Sequence, residues 1–155
     1  MYVNPQNLRE YLADQVADPL NDQYYGGFNF FRQGGYYHLG GPGYVLSQAT
    51  LRLWYNEGYN STKCFADKRR SEEDMLMGFC LKRAFGIVPN ETHDEDGRDR
   101  FHNYQPSFYG TNTTNWIISK TGVNCCTPDS IAWHYIKNSH HFRTLHAYYH
   151  YCPRN

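Results

Sequence analysis

Between Gln23 and Leu46 three glycine pairs, Gly26-Gly27, Gly34-Gly35 and Gly40-Gly41, cut an aromatic-rich stretch into short runs. Glycine enters turn conformations that other residues avoid, and apolar runs this short cannot form long elements. The stretch therefore predicts brief strands joined by tight turns. Helical signals flank it. Asn4-Pro5 reads as an N-cap followed by proline in the first turn, with Leu8, Tyr11, Leu12 and Val16 at helical spacing and Pro19 beyond. Ser47 starts a second helix, Gln48 to about Asn56, with Gly58 just past it. Ser71 starts a third, to about Phe85 and Gly86, with Leu76/Cys80 and Met77/Leu81 on its inner side. Residues 57–70 and 88–115 read as polar loops, Trp116–Ile118 and Ser130–Ile136 as strands, and His140–Tyr151 as a short helix. The pattern is mixed α/β, and 155 residues suit one domain, residues 1–155.

Charge excludes some partners. Fifteen basic and fifteen acidic residues cancel, and no basic patch points to nucleic acid or to a membrane surface. Aromatics make up 17% of the chain, including 15 Tyr. Their flat faces and polar edges suit sugars as well as a core, and core is the commoner use.

Five cysteines are present: Cys64, Cys80, Cys125, Cys126 and Cys152. Three sequons, at Asn60, Asn90 and Asn112, lean toward the secretory pathway, where disulfides persist. Cys64 and Cys80 flank one loop-helix segment and make a reasonable pair. Cys125 and Cys126 are adjacent, and form either a vicinal bridge or two separate bonds.

Three features carry chemistry. Gly40-Gly41-Pro42-Gly43 lets backbone approach a ligand, or is an ordinary turn before a helix; it has no lysine, so it is not a P-loop. Glu73-Asp74 stands at a helix start. There Ser71-x-x-Asp74 fits a capping box, while the chemical alternative is a general base held rigidly against a substrate hydroxyl. His134 sits in an apolar run as a core histidine or a metal ligand. His140-His141 reads as surface.

Taken in order, these motifs resemble the core 1 β1,3-galactosyltransferases, the glycoprotein-N-acetylgalactosamine 3-β-galactosyltransferases of the fringe-like superfamily. The resemblance runs through Tyr2-Val3, Asn7-Leu8-Arg9, Tyr25-Gly26, Gly40 to Ser47, Glu73-Asp74, Gly78 and Cys80. It continues through Asp94 to Arg98, Phe101-His102, Cys125-Cys126, His134-Tyr135, His150 and Pro153. It implies the C-terminal part of a GT-A fold, Rossmann-like, with the nucleotide-binding half lying elsewhere. It also implies a UDP-galactose donor, Mn²⁺, and inverting transfer to the 3-hydroxyl of GalNAc on Ser or Thr of glycoproteins.

By motif, the resemblance makes Asp74 the base, with Glu73 orienting hydroxyls beside it. Gly40, Gly41, Gly43 and Tyr44 line the donor pocket, His102 and Tyr135 contribute to substrate binding, and His134 is a metal ligand. The family's Asp-x-Asp metal motif is expected just before the segment that begins here at Met1. A membrane anchor is expected further upstream, in a Golgi-lumenal type II protein, with homodimerisation a further expectation. Pro42 departs from the small residue usual between the glycines, and the segment before Cys125 is shorter than in the family. Two other readings remain: a non-catalytic, chaperone-like module, and a related β1,3-N-acetylglucosaminyltransferase.

Overall fold

The computed structural model describes residues 1–59, 61–64, 72–110 and 125–151. Asn60, Ser71, Asn112, Trp116–Ile118, Cys152 and Pro153 lie outside the described residues.

The fold is mixed α/β with small sheets. Strand β1 (Tyr2–Val3) leads into helix α1 (Pro5–Gln15), and four short strands follow: β2 (Tyr25–Gly27), β3 (Asn29–Arg32), β4 (Gly35–His38) and β5 (Tyr44–Leu46). Helix α2 (Gln48–Leu53) continues into a π-helical turn over Trp54–Gly58. Then come α3 (Glu73–Phe85), β6 (Phe101–His102), α4 (Pro106–Tyr109), β7 (Ala132–Trp133) and α5 (Ser139–Tyr151).

Gly34-Gly35 and Gly40-Gly41 fall at turns as the sequence suggests, whereas Gly26-Gly27 lies inside β2, paired with Val45 and Tyr44. β3 and β4 form an antiparallel hairpin about Gln33-Gly34, and β2 pairs antiparallel with β5. The third sheet is assembled from distant parts of the chain. In the order β1-β7-β6, β7 runs antiparallel to β1 and parallel to β6. That β6–β7 register, Phe101 beside Ala132 and His102 beside Trp133, brings Asn103 to His134.

Local signals set the helix ends. Asn4 Oδ1 accepts from the amides of Gln6 and Asn7, and Ser47 Oγ accepts from the Thr50 amide. Gly86, at φ 71°, stops α3. Two expectations are corrected. α1 ends at Gln15, well before Pro19, and the residue it buries is polar: Asn7, whose Nδ2 donates to Ser130 O at 2.9 Å. α3 has Glu72, not Ser71, at its N-cap position with no side-chain cap bond, and Met75, rather than Leu76, is fully buried. The middle of α3 is enclosed on several sides because the β3–β4 hairpin covers one flank and the α2 turn another. An amphipathic pattern does not anticipate that.

The core is aromatic, with Tyr2, Tyr24, Tyr25, Tyr37, Tyr109 and Tyr149 all buried. Tyr25 joins Met77, Leu81 and Ile87; Phe30 and Tyr37 pack with Met75 and Phe79; Tyr2, Tyr109 and Trp133 pack with Leu145 and Tyr149 of α5. Each such side chain contributes about 1.5–3 kcal/mol by leaving water. The loop over 88–100 is anchored: Asn90 exchanges hydrogen bonds with Tyr25, and Thr92 Oγ1 donates to Gly27 O at 2.7 Å. Residues 101–109 of the expected loop instead form β6 and α4, because β6 finds its partner in distant β7. Cys64 bonds Cys80, and Cys125 bonds Cys126 as a vicinal bridge. Among the described residues no helix is long and apolar enough to cross a membrane.

Candidate functional site

The loop between β4 and β5 turns tightly: the Gly43 amide donates to Gly40 O at 3.0 Å, and Gly43 takes φ 82°. Two side chains 60 positions apart in sequence, Asp74 and His134, close on this loop. The Gly40 amide donates to Asp74 Oδ2 at 2.7 Å, and the Met75 amide donates to Asp74 Oδ1 at 2.8 Å. A side chain on the next residue, Gly41, would run into the His134 imidazole and lie 3.1 Å from Asn103 Oδ1. Neighbouring Cα atoms stand about 3.8 Å apart, so Asp74 and His134 meet the loop one residue apart.

The Asp74 carboxylate therefore does not close a capping box. It bridges the Met75 amide of its own helix to the Gly40 amide of the loop, while remaining partly open to solvent. At the start of α3 both Glu73 and Asp74 face the positive end of the helix dipole, worth about 0.3–1 kcal/mol each. Glu73 is exposed and accepts a hydrogen bond from the Tyr44 hydroxyl. Burial, reinforced by Glu73, pushes the Tyr44 hydroxyl up, so it stays protonated and donates. A carboxylate held by two amides and partly open to solvent has its geometry set before a substrate arrives, as a general base requires.

His134 is half-buried, and burial holds its imidazole below the usual histidine range, so it is neutral. Its Nδ1 lies 3.4 Å from Asn103 Oδ1. Tyr135 follows at φ 54°, a conformation costing a non-glycine residue about 1–3 kcal/mol. The turn places the exposed Tyr135 ring 4.0 Å from His134 and stacks it on Tyr104, which stacks in turn on Phe108. Met1 approaches from the other side, its Sδ 3.6 Å from where a Gly43 side chain would begin.

The structure brings Gly40, Gly41, Gly43, Tyr44, Glu73, Asp74, His134 and Tyr135 into one neighbourhood. His102 lies elsewhere. It is fully buried, stacked on Trp133 at 3.7 Å, and its Nε2 donates to Ser130 Oγ at 2.8 Å. Burial lowers its pKa to about 3. An enclosed neutral imidazole serves the core, not a bound substrate, and nothing in Phe101-His102 distinguishes the two uses. Sequence reasoning missed Asn103, whose only clue is its place directly after the Phe101-His102 strand.

A Mn²⁺ ion needs several oxygen or imidazole ligands. Here His134 and Asn103 supply one imidazole and one amide oxygen, and among the described residues no group of three or more His, Cys, Asp or Glu could hold a metal. The described residues do not by themselves fit a Mn²⁺ centre.

No family model matches the chain. It is, however, 30% identical over 96% of its length to the glycoprotein-N-acetylgalactosamine 3-beta-galactosyltransferase 1 of Xenopus laevis. The chain is similar to a galactosyltransferase. It spans 43% of the length of that relative. The likeness supports a glycosyltransferase relationship without specifying member, donor or acceptor.

Proposed function

We propose that this chain forms part of an inverting galactosyltransferase that moves galactose from UDP-galactose to the 3-hydroxyl of GalNAc on Ser or Thr of glycoproteins. The observation that carries the reading is the Asp74–Gly40 hydrogen bond, one residue from the Gly41–His134 contact, in a chain similar to a galactosyltransferase. In this reading Asp74 takes the proton from the acceptor hydroxyl. The hydroxyl oxygen attacks the anomeric carbon as the bond to UDP breaks on the opposite face, which inverts the configuration. The Gly40–Tyr44 loop walls the donor sugar, and Glu73, steadied by Tyr44, orients sugar hydroxyls. Tyr135 offers an exposed aromatic edge to the substrate.

The fold belongs, in this reading, to the C-terminal part of a GT-A domain. Mn²⁺, which neutralises the leaving diphosphate when bound, would be held by His134 together with carboxylates from outside these residues. Lumenal Golgi residence, a membrane anchor outside the chain, a homodimer and glycans at Asn60, Asn90 and Asn112 complete the proposal.

A second reading is a non-catalytic interaction module. A chimera tests both: the chain replaces the matching segment of the Xenopus relative, and transfer to a GalNAc-peptide is measured with UDP-galactose against UDP-GlcNAc. Galactose transfer is expected. Preference for UDP-GlcNAc would replace the donor assignment, and a folded chimera without transfer would favour the interaction module.

A further inference from the structure

The sequon Asn90-Glu91-Thr92 lies outside the proposed chemistry, and each of its residues is tied to the fold. The chain here runs parallel to β2, with Asn90 opposite Gly26. The Asn90 amide donates to Tyr25 O at 2.8 Å, and Asn90 Oδ1 accepts from the Tyr25 amide at 3.1 Å. Glu91 Oε1 accepts from Asn29 Nδ2 at 2.9 Å, and its Oε2 lies 2.9 Å from His93 Nδ1. Thr92 is 5% exposed, and its hydroxyl donates to Gly27 O at 2.7 Å.

The two groups that define the sequon are therefore held differently. A backbone amide only donates, so the Asn90 oxygen faces Tyr25 and Nδ2 points away from β2. Asn90 is exposed, and no described residue accepts from that nitrogen. A glycan on Nδ2 leaves both hydrogen bonds to Tyr25 in place and extends into solvent, where so bulky a group belongs. The Thr92 hydroxyl is the opposite case. A sequon is read through the hydroxyl of its third residue as well as through the asparagine, and here that hydroxyl is enclosed and already bonded. Its partner, Gly27, stands 65 positions earlier, so the hydroxyl is hidden only once these distant segments meet.

We propose that Asn90 is a glycosylation site open only before residues 90–92 dock on β2: the unfolded chain is modified, the fold then accepts the glycan, and the folded chain no longer takes one. The donor is a lipid-linked diphosphate oligosaccharide. A bond forms from Asn90 Nδ2 to the anomeric carbon of the first sugar, the bond from that carbon to the diphosphate breaks, and one Nδ2 hydrogen leaves as a proton. The inference rests on the lumenal placement proposed above and not on galactose transfer. Occupancy at Asn90 then records whether glycan addition or folding came first.

The test incubates the folded, unglycosylated 155-residue chain, carrying an added C-terminal Asn-Ala-Thr tag, with a purified single-subunit oligosaccharyltransferase and a lipid-linked oligosaccharide. Peptide mass spectrometry follows occupancy at Asn90 and at the tag, and a synthetic peptide of residues 86–96 is the unfolded reference. Peptide and tag should both be modified. Asn90 in the folded chain should react at least about 10-fold more slowly than in the peptide, because only the minor, locally opened fraction of molecules exposes Thr92. The chain glycosylated at Asn90 in a secretory host should keep the near-UV circular dichroism of the unglycosylated chain. Modification of Asn90 in the folded chain as fast as in the peptide, a peptide that is not modified, or a glycosylated chain without the native near-UV spectrum would each overturn the proposal. Failure of the chimera to transfer galactose would overturn the galactosyltransferase reading and leave this one standing.

Discussion

Asp74 Oδ2 accepts from the Gly40 amide at 2.7 Å across 34 positions of sequence, tying the start of α3 to the glycine loop. With the Met75 amide on Oδ1, both carboxylate oxygens are engaged. Asp74→Ala removes both partners and is expected to cost about 1–2 kcal/mol, since a net hydrogen bond contributes about 0.5–1.5 kcal/mol. Glu73→Gln keeps an oxygen for the Tyr44 hydroxyl and should cost less than about 0.5 kcal/mol, as substitutions at exposed positions usually do. Urea unfolding of the two variants checks the contrast.

Asn7 is the polar anchor of α1, its Nδ2 donating to Ser130 O at 2.9 Å inside the core. Asn7→Leu would leave that carbonyl without its donor in an enclosed space. The expected loss is about 1–3 kcal/mol, the cost of an unsatisfied buried group. A urea midpoint that does not fall would show that Ser130 finds another partner.

The Cys64–Cys80 bond closes a loop of 16 residues in sequence separation. Chain-entropy arguments give about 3 kcal/mol for a loop of this size. Cys64→Ser with Cys80→Ser is expected to lower stability by roughly that amount, read from thermal unfolding without reductant. An unchanged Tm would mean that packing of α3 on the α2 turn holds this corner unaided.

Acid should destabilise the fold through its buried histidines. Burial lowers His102 to about 3 and His38 to about 4, against roughly 6.5 in the unfolded chain. Below about pH 6.5 the unfolded chain takes up protons that the folded one refuses, so stability is lost as pH falls toward 4. His93 has the opposite sign. Its hydrogen bond to Asp99, with Glu91 on the other nitrogen, raises its pKa. Its contribution is full below about pH 6.5 and is lost as pH rises through the folded value. Denaturation midpoints against pH should therefore slope less steeply in His102→Gln and more steeply in His93→Gln.

Much of the local structure is legible in the residues. Asn4-Pro5, Ser47 and Gly86 mark helix ends because caps act within one turn of backbone, and Gly34-Gly35 and Gly40-Gly41 mark turns for the same reason, while Gly26-Gly27 is drawn into β2 by its pairing with distant β5. The α5 helix and the Cys64–Cys80 pair follow from equally short-range patterns. What is not legible depends on distance. β6 forms only because β7, some thirty positions later, lies beside it. Phe101-His102 looks the same whether its histidine points into the core or toward a ligand. The Asp74 carboxylate fits a capping box on sequence alone, and only the folded β4–β5 loop supplies the amide that draws it away. Asn103 carries no motif of its own; its place opposite His134 comes from the strand register.

The most direct test of the account is galactose transfer by the chimera carrying Asp74→Asn, measured beside its urea stability. The substitution keeps size and one of the two acceptor oxygens but removes the basic carboxylate. The account predicts a fall in kcat of at least about 100-fold, the lower end of general-base contributions, with stability lowered by about 0.5–1.5 kcal/mol, the worth of one hydrogen bond. Undiminished turnover would contradict the assignment of Asp74 as the base and leave its contact with Gly40 a structural tie.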